Sequence, residues 1–170
     1  MKACIDRKGQ VWSFDFIASV TIFFMVLMVL FFVWEYTTLQ NNDQIVFNDM
    51  ESTALDTIDT MIRVRGFPEQ WDSSNVEVLG LASEENVLNE SKLLEFVSMD
   101  YYNSRRVLGI LGYGFYFQVL NLNDTQAYSG STALLTGADP LASSATAIVP
   151  VERYVLFDHK VAKVRFTLWY

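Results

Sequence analysis

The chain has 170 residues, enough for one compact domain with an anchor or tail. Half are apolar (51%) and only 19% are charged, which excludes a disordered chain and is unusual for a soluble globule. A net charge of −8 repels phosphate backbones, so no nucleic acid is expected, while a single histidine (His159) and a single cysteine (Cys4) exclude Cys/His zinc sites, Cys–His nucleophile pairs and disulfide scaffolds.

The first element is a membrane segment. From Phe16 to Trp34, 19 consecutive residues carry no charge. As a helix they span about 28 Å, close to the roughly 30 Å hydrocarbon core of a bilayer. Ser19 and Thr21 are their only polar side chains, and both can bond back to the helix backbone. Trp12, Trp34 and Tyr36 stand at the ends, where aromatic rings favour the headgroup zone. Lys2, Arg7 and Lys8 precede the span, and the next basic residue is Arg63. This asymmetry predicts a cytoplasmic N-terminus and an exported remainder in contact with membrane lipids through one span. A secretory signal would have a shorter apolar stretch and a small-x-small cleavage site, which TTLQNND does not offer. Asp15, near the start of the span, is a carboxylate that anchoring alone does not explain; it either sits at the headgroups or has a partner.

In this leader and helix the chain resembles archaeal type IV pilin-like proteins with a class III prepilin-type leader. Arg7-Lys8-Gly9 matches the leader, Gln10 the first mature residue, Ser13 the serine and Asp15 the acid of the family pattern. Ser13 and Asp15 each lie one residue later than in that pattern, and the usual acid there is Glu. Gly66-Phe67-Pro68 with Trp71, Val78-Leu79-Gly80-Leu81, Lys92-Leu93 with Tyr101, and Arg165-Phe166-Thr167-Leu168-Trp169 extend the likeness. The resemblance implies cleavage by a prepilin peptidase between Gly9 and Gln10. It also implies packing against other pilin-like subunits through the apolar helix, with Asp15 pairing with the amine of a neighbour's first residue.

Beyond the span, Val46, Met50, Ala54, Ile58, Met61 and Ile62 recur at helical spacing, with acids opposite. No Gly or Pro interrupts Gln10–Arg65, so one helix can run throughout, loosened at Asn41-Asn42-Asp43 and ended by Gly66 and Pro68. A short strand is expected over Val76–Leu81. A helical turn or two around Leu93–Val97 follows, then a second short helix capped by Asp100 and reaching Leu111. Gly112 and Gly114 release the chain into a strand with Phe115, Phe117 and Val119 on one face. Asn123–Ser144, rich in Ser, Thr, Ala and Gly, reads as a long surface loop. Strands over Ala147–Phe157 and Val161–Tyr170 flank Asp158-His159-Lys160, with Ala162, Val164, Phe166, Leu168 and Tyr170 sharing a face.

These elements predict an α+β protein: a long N-terminal helix packed on a small antiparallel β-sheet head. The organisation is a basic leader (1–9), a membrane or filament-core helix (10–36), its amphipathic continuation (37–65) and an exported head (66–170). Asn89-Glu90-Ser91 and Asn123-Asp124-Thr125 are sequons, making Asn89 and Asn123 candidate glycan acceptors outside the cell. Asp56 with Asp59, and Asn121 with Asn123 and Asp124, have cation-binding residue types, though a solvated face accounts for each. Arg105-Arg106 reads as surface, His159 as a solvated hairpin tip and Gly112-Tyr113-Gly114 as a turn. No nucleophile–base–orienter set occurs, so no catalytic residue, cofactor or metal is expected. The alternative to a filament subunit is a non-polymerising single-span protein with an extracytoplasmic binding domain.

Overall fold

The computed structural model describes residues 8–170, without the side-chain surroundings of 8–13 and 39–43. The chain forms two compact units, Met1–Ile45 and Val46–Tyr170. The fold class is α+β. Helix α1 (Lys8–Arg63) runs through Asn41-Asn42-Asp43 and contributes to both units.

In the second unit α1 buries Met50, Ala54, Ile58, Met61 and Ile62, each no more than 1% exposed. Val46, expected in the same stripe, stays 44% exposed, because the head's cover begins a turn later at Met50. The helix ends at Arg63, where its last carbonyls need donors. Leu81 N–H donates to Met61 O (2.8 Å), Asn86 N–H to Ile62 O (2.9 Å) and Ala82 N–H to Val64 O (3.2 Å). This capping displaces the strand expected over Val76–Leu81: only a Phe67–Val78 bridge forms there. Gly80 makes the approach feasible, since a Cβ at that position would lie 2.2 Å from Val64 O.

Strands β1 (Ala82–Glu84) and β2 (Val87–Leu88) follow, then α2 (Glu90–Ser98) and α3 (Tyr101–Val107). Asp100 caps α3 as its position predicts, accepting from the N–H groups of Tyr102 (3.1 Å) and Asn103 (3.3 Å). α3 stops short of Leu111 because Gly109 turns left-handed (φ +72°) in a Schellman arrangement. There Ile110 N–H donates to Arg105 O (3.0 Å) and Gly109 N–H to Arg106 O (3.2 Å).

β3 (Gly114–Leu120), β7 (Ile148–Phe157) and β8 (Lys160–Trp169) form the centre of a six-stranded sheet, ordered β1-β2-β7-β8-β3 and then β6 (Leu135–Gly137). β7 and β8 pair from Ile148–Trp169 to Phe157–Lys160 around a two-residue turn. Asp158 (φ 49°) and His159 (φ 62°) both take positive φ, the type I′ geometry that matches strand twist. The sheet is mixed rather than wholly antiparallel, because β2 meets β7 in parallel at Val87–Leu156. That contact follows the Glu85-Asn86 turn, where Leu156 N–H donates to Asn86 O (2.8 Å).

Residues 123–144 are not the open loop their composition suggests. They contain a β4 (Tyr128–Ser129)–β5 (Thr132–Ala133) hairpin and the sheet strand β6. Leu134 (0% exposed) and Ala127 (5%) enter the core, and Gln126 Nε2 reaches the carbonyls of Val119, Ala127 and Leu134 at 3.0–3.2 Å. Two apolar anchors and one amide thus fold back a segment of otherwise loop-like composition.

The core combines the buried stripe of α1, Leu93 and Phe96 of α2 and the inner face of the sheet. Phe115, Phe117, Val119, Ala162, Val164, Phe166 and Leu168 are all buried, as their alternation predicts. Phe96 meets Phe117 edge-on at 5.2 Å, and Tyr101 stacks on Phe115 at 5.3 Å. Tyr170 departs from the pattern at 65% exposed, although its backbone still exchanges hydrogen bonds with Ala147 (3.1 and 3.2 Å).

Candidate functional site

The main candidate surface is the apolar part of α1. Phe14–Thr38 is one helix long and apolar enough to cross a membrane, and none of its most apolar window is buried within the protein. Most of its large side chains are bare, with Val26 at 54% and Trp34 at 76% exposed, while Val20 and Leu27 are half-buried. Each such side chain left in water forgoes about 1.5–3 kcal/mol, so this face is suited to lipid or another apolar surface. The serine and threonine hydroxyls within the span bond back to the backbone. Ser19 Oγ donates to Asp15 O (2.8 Å) and Thr21 Oγ1 to Ile17 O (2.8 Å); Thr37 and Thr38 do the same with Val33 and Trp34.

The Asp15 side chain is exposed on this surface. Gly9 and Gln10 fall in the first turns of α1; their surroundings, those of Ser13, and the leader residues 1–7 with Cys4 lie outside the described residues.

In the head, the two sequons occupy different settings. Asn89 is half-buried as the N-cap of α2, its Oδ1 accepting from Lys92 N–H (3.2 Å). Asn123 is exposed in the turn after β3, where its Oδ1 accepts from Thr125 Oγ1 (2.7 Å). The neighbouring polar groups are engaged with each other. Asn121 Nδ2 donates to Thr125 Oγ1 (2.9 Å), and Asp124 is taken by cations. Asp59 pairs with Arg153 of β7 at 2.7 Å, whereas Asp56 stays solvated. Among the described residues no group of three or more His, Cys, Asp or Glu side chains could hold a metal ion.

Arg105 differs from its expected surface placement: it lies half-buried over the Tyr101 ring (5.6 Å) and donates to Leu111 O. Arg106 is exposed as expected. Tyr113, in the Gly112–Gly114 turn, donates its hydroxyl to Asp49 Oδ2 of α1 (2.6 Å), which pushes its own proton affinity up. The His159 side chain is exposed at the hairpin tip.

A charge network on the outer sheet face is new relative to the sequence reading. Lys163 Nζ lies 2.5 Å from Asp124 and 3.6 Å from Glu152, and Arg165 Nη2 lies 2.6 Å from Glu152 and 3.5 Å from Asp124. The turn is the two residues Asp158-His159 rather than the three expected, and this register sets Glu152 opposite Arg165; a three-residue connection would have set it opposite Phe166. The hydrogen bond from Lys163, its charge, and that of Arg165 hold the Asp124 carboxyl below the usual carboxylate range. The bond to Asp124 likewise raises Lys163, against the opposing effect of burial.

A lowered carboxylate pKa contributes stability above its unfolded value and loses it as pH falls through the folded value. A raised lysine contributes below its unfolded value and loses it as pH rises through the folded one. Asp124→Asn is therefore expected to be less stable than wild type at neutral pH, with the gap closing below about pH 4. Thermal unfolding of both proteins from pH 7 to 3 checks this; a gap that stays constant with pH contradicts it.

No family model matches the chain, and no curated protein or solved structure matches it either.

Proposed function

We propose that this chain is a pilin-like subunit, a minor or adaptor component of an archaeal type IV pilus-like cell-surface filament. The observation that carries the reading is the bare apolar helix Phe14–Thr38 at the start of a chain whose later residues form an α+β head. Such a helix is stable in lipid and equally stable against like helices, so the same surface serves a membrane-inserted precursor and a filament core. The basic residues Lys2, Arg7 and Lys8 support an N-terminus in the cytoplasm and a head outside. A prepilin peptidase cutting between Gly9 and Gln10 would leave the apolar helix on the mature subunit, unlike removal of a secretory signal. In this reading Asn123, in the turn after β3, and Asn89, at the start of α2, carry glycans on the exported head.

Asp15 has a defined task in the assembled state. Once helices replace lipid and water around it, its charge must meet an opposite one, because an uncompensated buried charge costs several kcal/mol. The amine that cleavage creates on Gln10 of a neighbouring subunit supplies it. The sixth rather than fifth position turns the carboxylate about 100° around the helix and selects a different neighbour.

Asp15→Asn is expected to insert into membranes as well as wild type or better, and to fall at least about tenfold in sheared-filament fractions, given the about 3–5 kcal/mol cost of breaking a buried pair. Equal incorporation of both proteins would remove the pairing role. Absence of wild type from those fractions would favour the anchored, non-polymerising protein.

A further inference from the structure

Strand β7 has an open edge. Its pairing with β8 uses alternate residues: Tyr170 exchanges hydrogen bonds with Ala147 (3.1 and 3.2 Å), and the unbroken register carries the bonded pairs on through Val149, Val151, Arg153 and Val155. The backbone groups of Ile148, Pro150, Glu152 and Tyr154 therefore point the other way. On that side β2 meets β7 only at Leu156, whose N–H donates to Asn86 O (2.8 Å). The N–H groups of Ile148, Glu152 and Tyr154 and the carbonyls of Ile148, Pro150 and Tyr154 make no hydrogen bond to the described residues. The Glu152 carbonyl is the exception, accepting from Arg153 Nη1 (3.1 Å). Such an edge is a template for one more strand.

The free stretch is bounded at both ends. Asn86 closes it after Tyr154, and before Ile148 the chain turns towards β8, with Thr146 N–H donating to Tyr170 O (2.7 Å). Its donors and acceptors are self-complementary. In an antiparallel pair of two β7 edges centred on Val151, Ile148 lies opposite Tyr154 of the second copy, and Pro150 lies opposite its Glu152. Ile148 and Tyr154 then exchange both bonds, and Glu152 N–H meets Pro150 O. The donor that proline lacks would face Glu152 O, the one carbonyl already occupied. On the outer face the exposed Ile148 (39%) and Tyr154 (65%) cover each other. Neighbouring registers fail: one sets two Glu152 carboxylates side by side and runs Ile148 into Asn86, and the other sets proline against proline.

We propose that this edge is a homotypic contact, in which β7 of a second copy extends the sheet in antiparallel fashion. The twofold axis of such a pair passes by Val151, perpendicular to the sheet. Val46–Arg63 lies along the inner face of that sheet through its buried stripe, so its direction reverses between the copies. The contact therefore suits heads that meet from opposite directions, not heads standing side by side. A strand edge this short buries less than the roughly 1,200–2,000 Å² of a stable interface, so the pairing is weak, with a Kd of about 0.1 mM. It lies wholly within Val46–Tyr170 and holds whether or not the chain enters a filament.

The full chain in detergent micelles leaves both orientations free, and sedimentation equilibrium is expected to show dimers as its concentration rises through about 0.1 mM. A spin label on Leu156→Cys, in a Cys4→Ser background, reads the register by double electron–electron resonance. The centred pair sets the two labels about 35 Å apart, from the roughly 3.4 Å rise per strand residue, and a neighbouring register moves them by about 7 Å. Tyr154→Pro removes an N–H that bonds nothing within the described chain, and Ile148→Lys alters an exposed side chain. Each should weaken dimerisation at least about tenfold, with near-UV circular dichroism unchanged. The proposal is overturned by a chain that stays monomeric well above that concentration, by dimers lacking that label separation, or by dimers that both variants leave unchanged, which would mark association through the apolar helix instead.

Discussion

Replacing Phe117 by alanine is expected to destabilise the head by about 3–5 kcal/mol, the usual cost of removing a buried aromatic side chain. Phe117 is fully buried on β3, between β8 and β6, with its ring edge-on to Phe96 at 5.2 Å. The change therefore removes packing from the sheet and from α2 together. For a unit of this size the loss corresponds to a melting temperature lower by roughly 10–20 °C. Near-UV circular dichroism of the protein in detergent follows it. Phe31→Ala serves as the control, because Phe31 is 69% exposed on the apolar span and belongs to no core. A Phe117→Ala melting temperature within about 2 °C of wild type would contradict this packing.

The sequence made the strongly periodic elements legible. The 19 uncharged residues from Phe16, the alternation in Phe115–Val119 and Ala162–Leu168, and the paired final strands each repeat one physical signal several times. The cap at Asp100 was legible because a carboxylate at a helix start has a single local task. What escaped depended on distant backbone. Val76–Leu81 has a strand's composition, yet its neighbourhood supplies donors to the carbonyls ending α1, a demand set by residues some 20 positions away. Residues 123–144 look loop-like because only Ala127, Leu134 and Pro140 are buried among polar neighbours. Arg153 reads as one charge within a strand, and its partner Asp59 lies on a different element altogether. Of the candidate sites, the apolar helix was visible in full, whereas the charge network joins Asp124, Glu152, Lys163 and Arg165 only after folding.

Gly9→Val is expected to block maturation. Gly9 lies in the first turns of α1, where glycine weakens a helix by about 1 kcal/mol relative to alanine. That weakness lets the segment unwind into the extended form a peptidase needs, and the missing side chain lets it pass through a narrow active site. Valine adds a β-branched side chain beside the scissile bond, and the mutant chain should retain the whole leader, from Met1 onward, ahead of Gln10. Mass spectrometry reads the difference directly. An identical N-terminus in mutant and wild type would show that no cleavage depends on Gly9, and the leader assignment would fail with it.

The most direct measurement is the N-terminal sequence of the native chain recovered from filaments sheared from cells. The pilin-like reading predicts that the chain is present in that fraction and begins at Gln10, with the apolar helix Phe14–Thr38 intact behind it. A chain found only in membranes and still beginning at Met1 would contradict it.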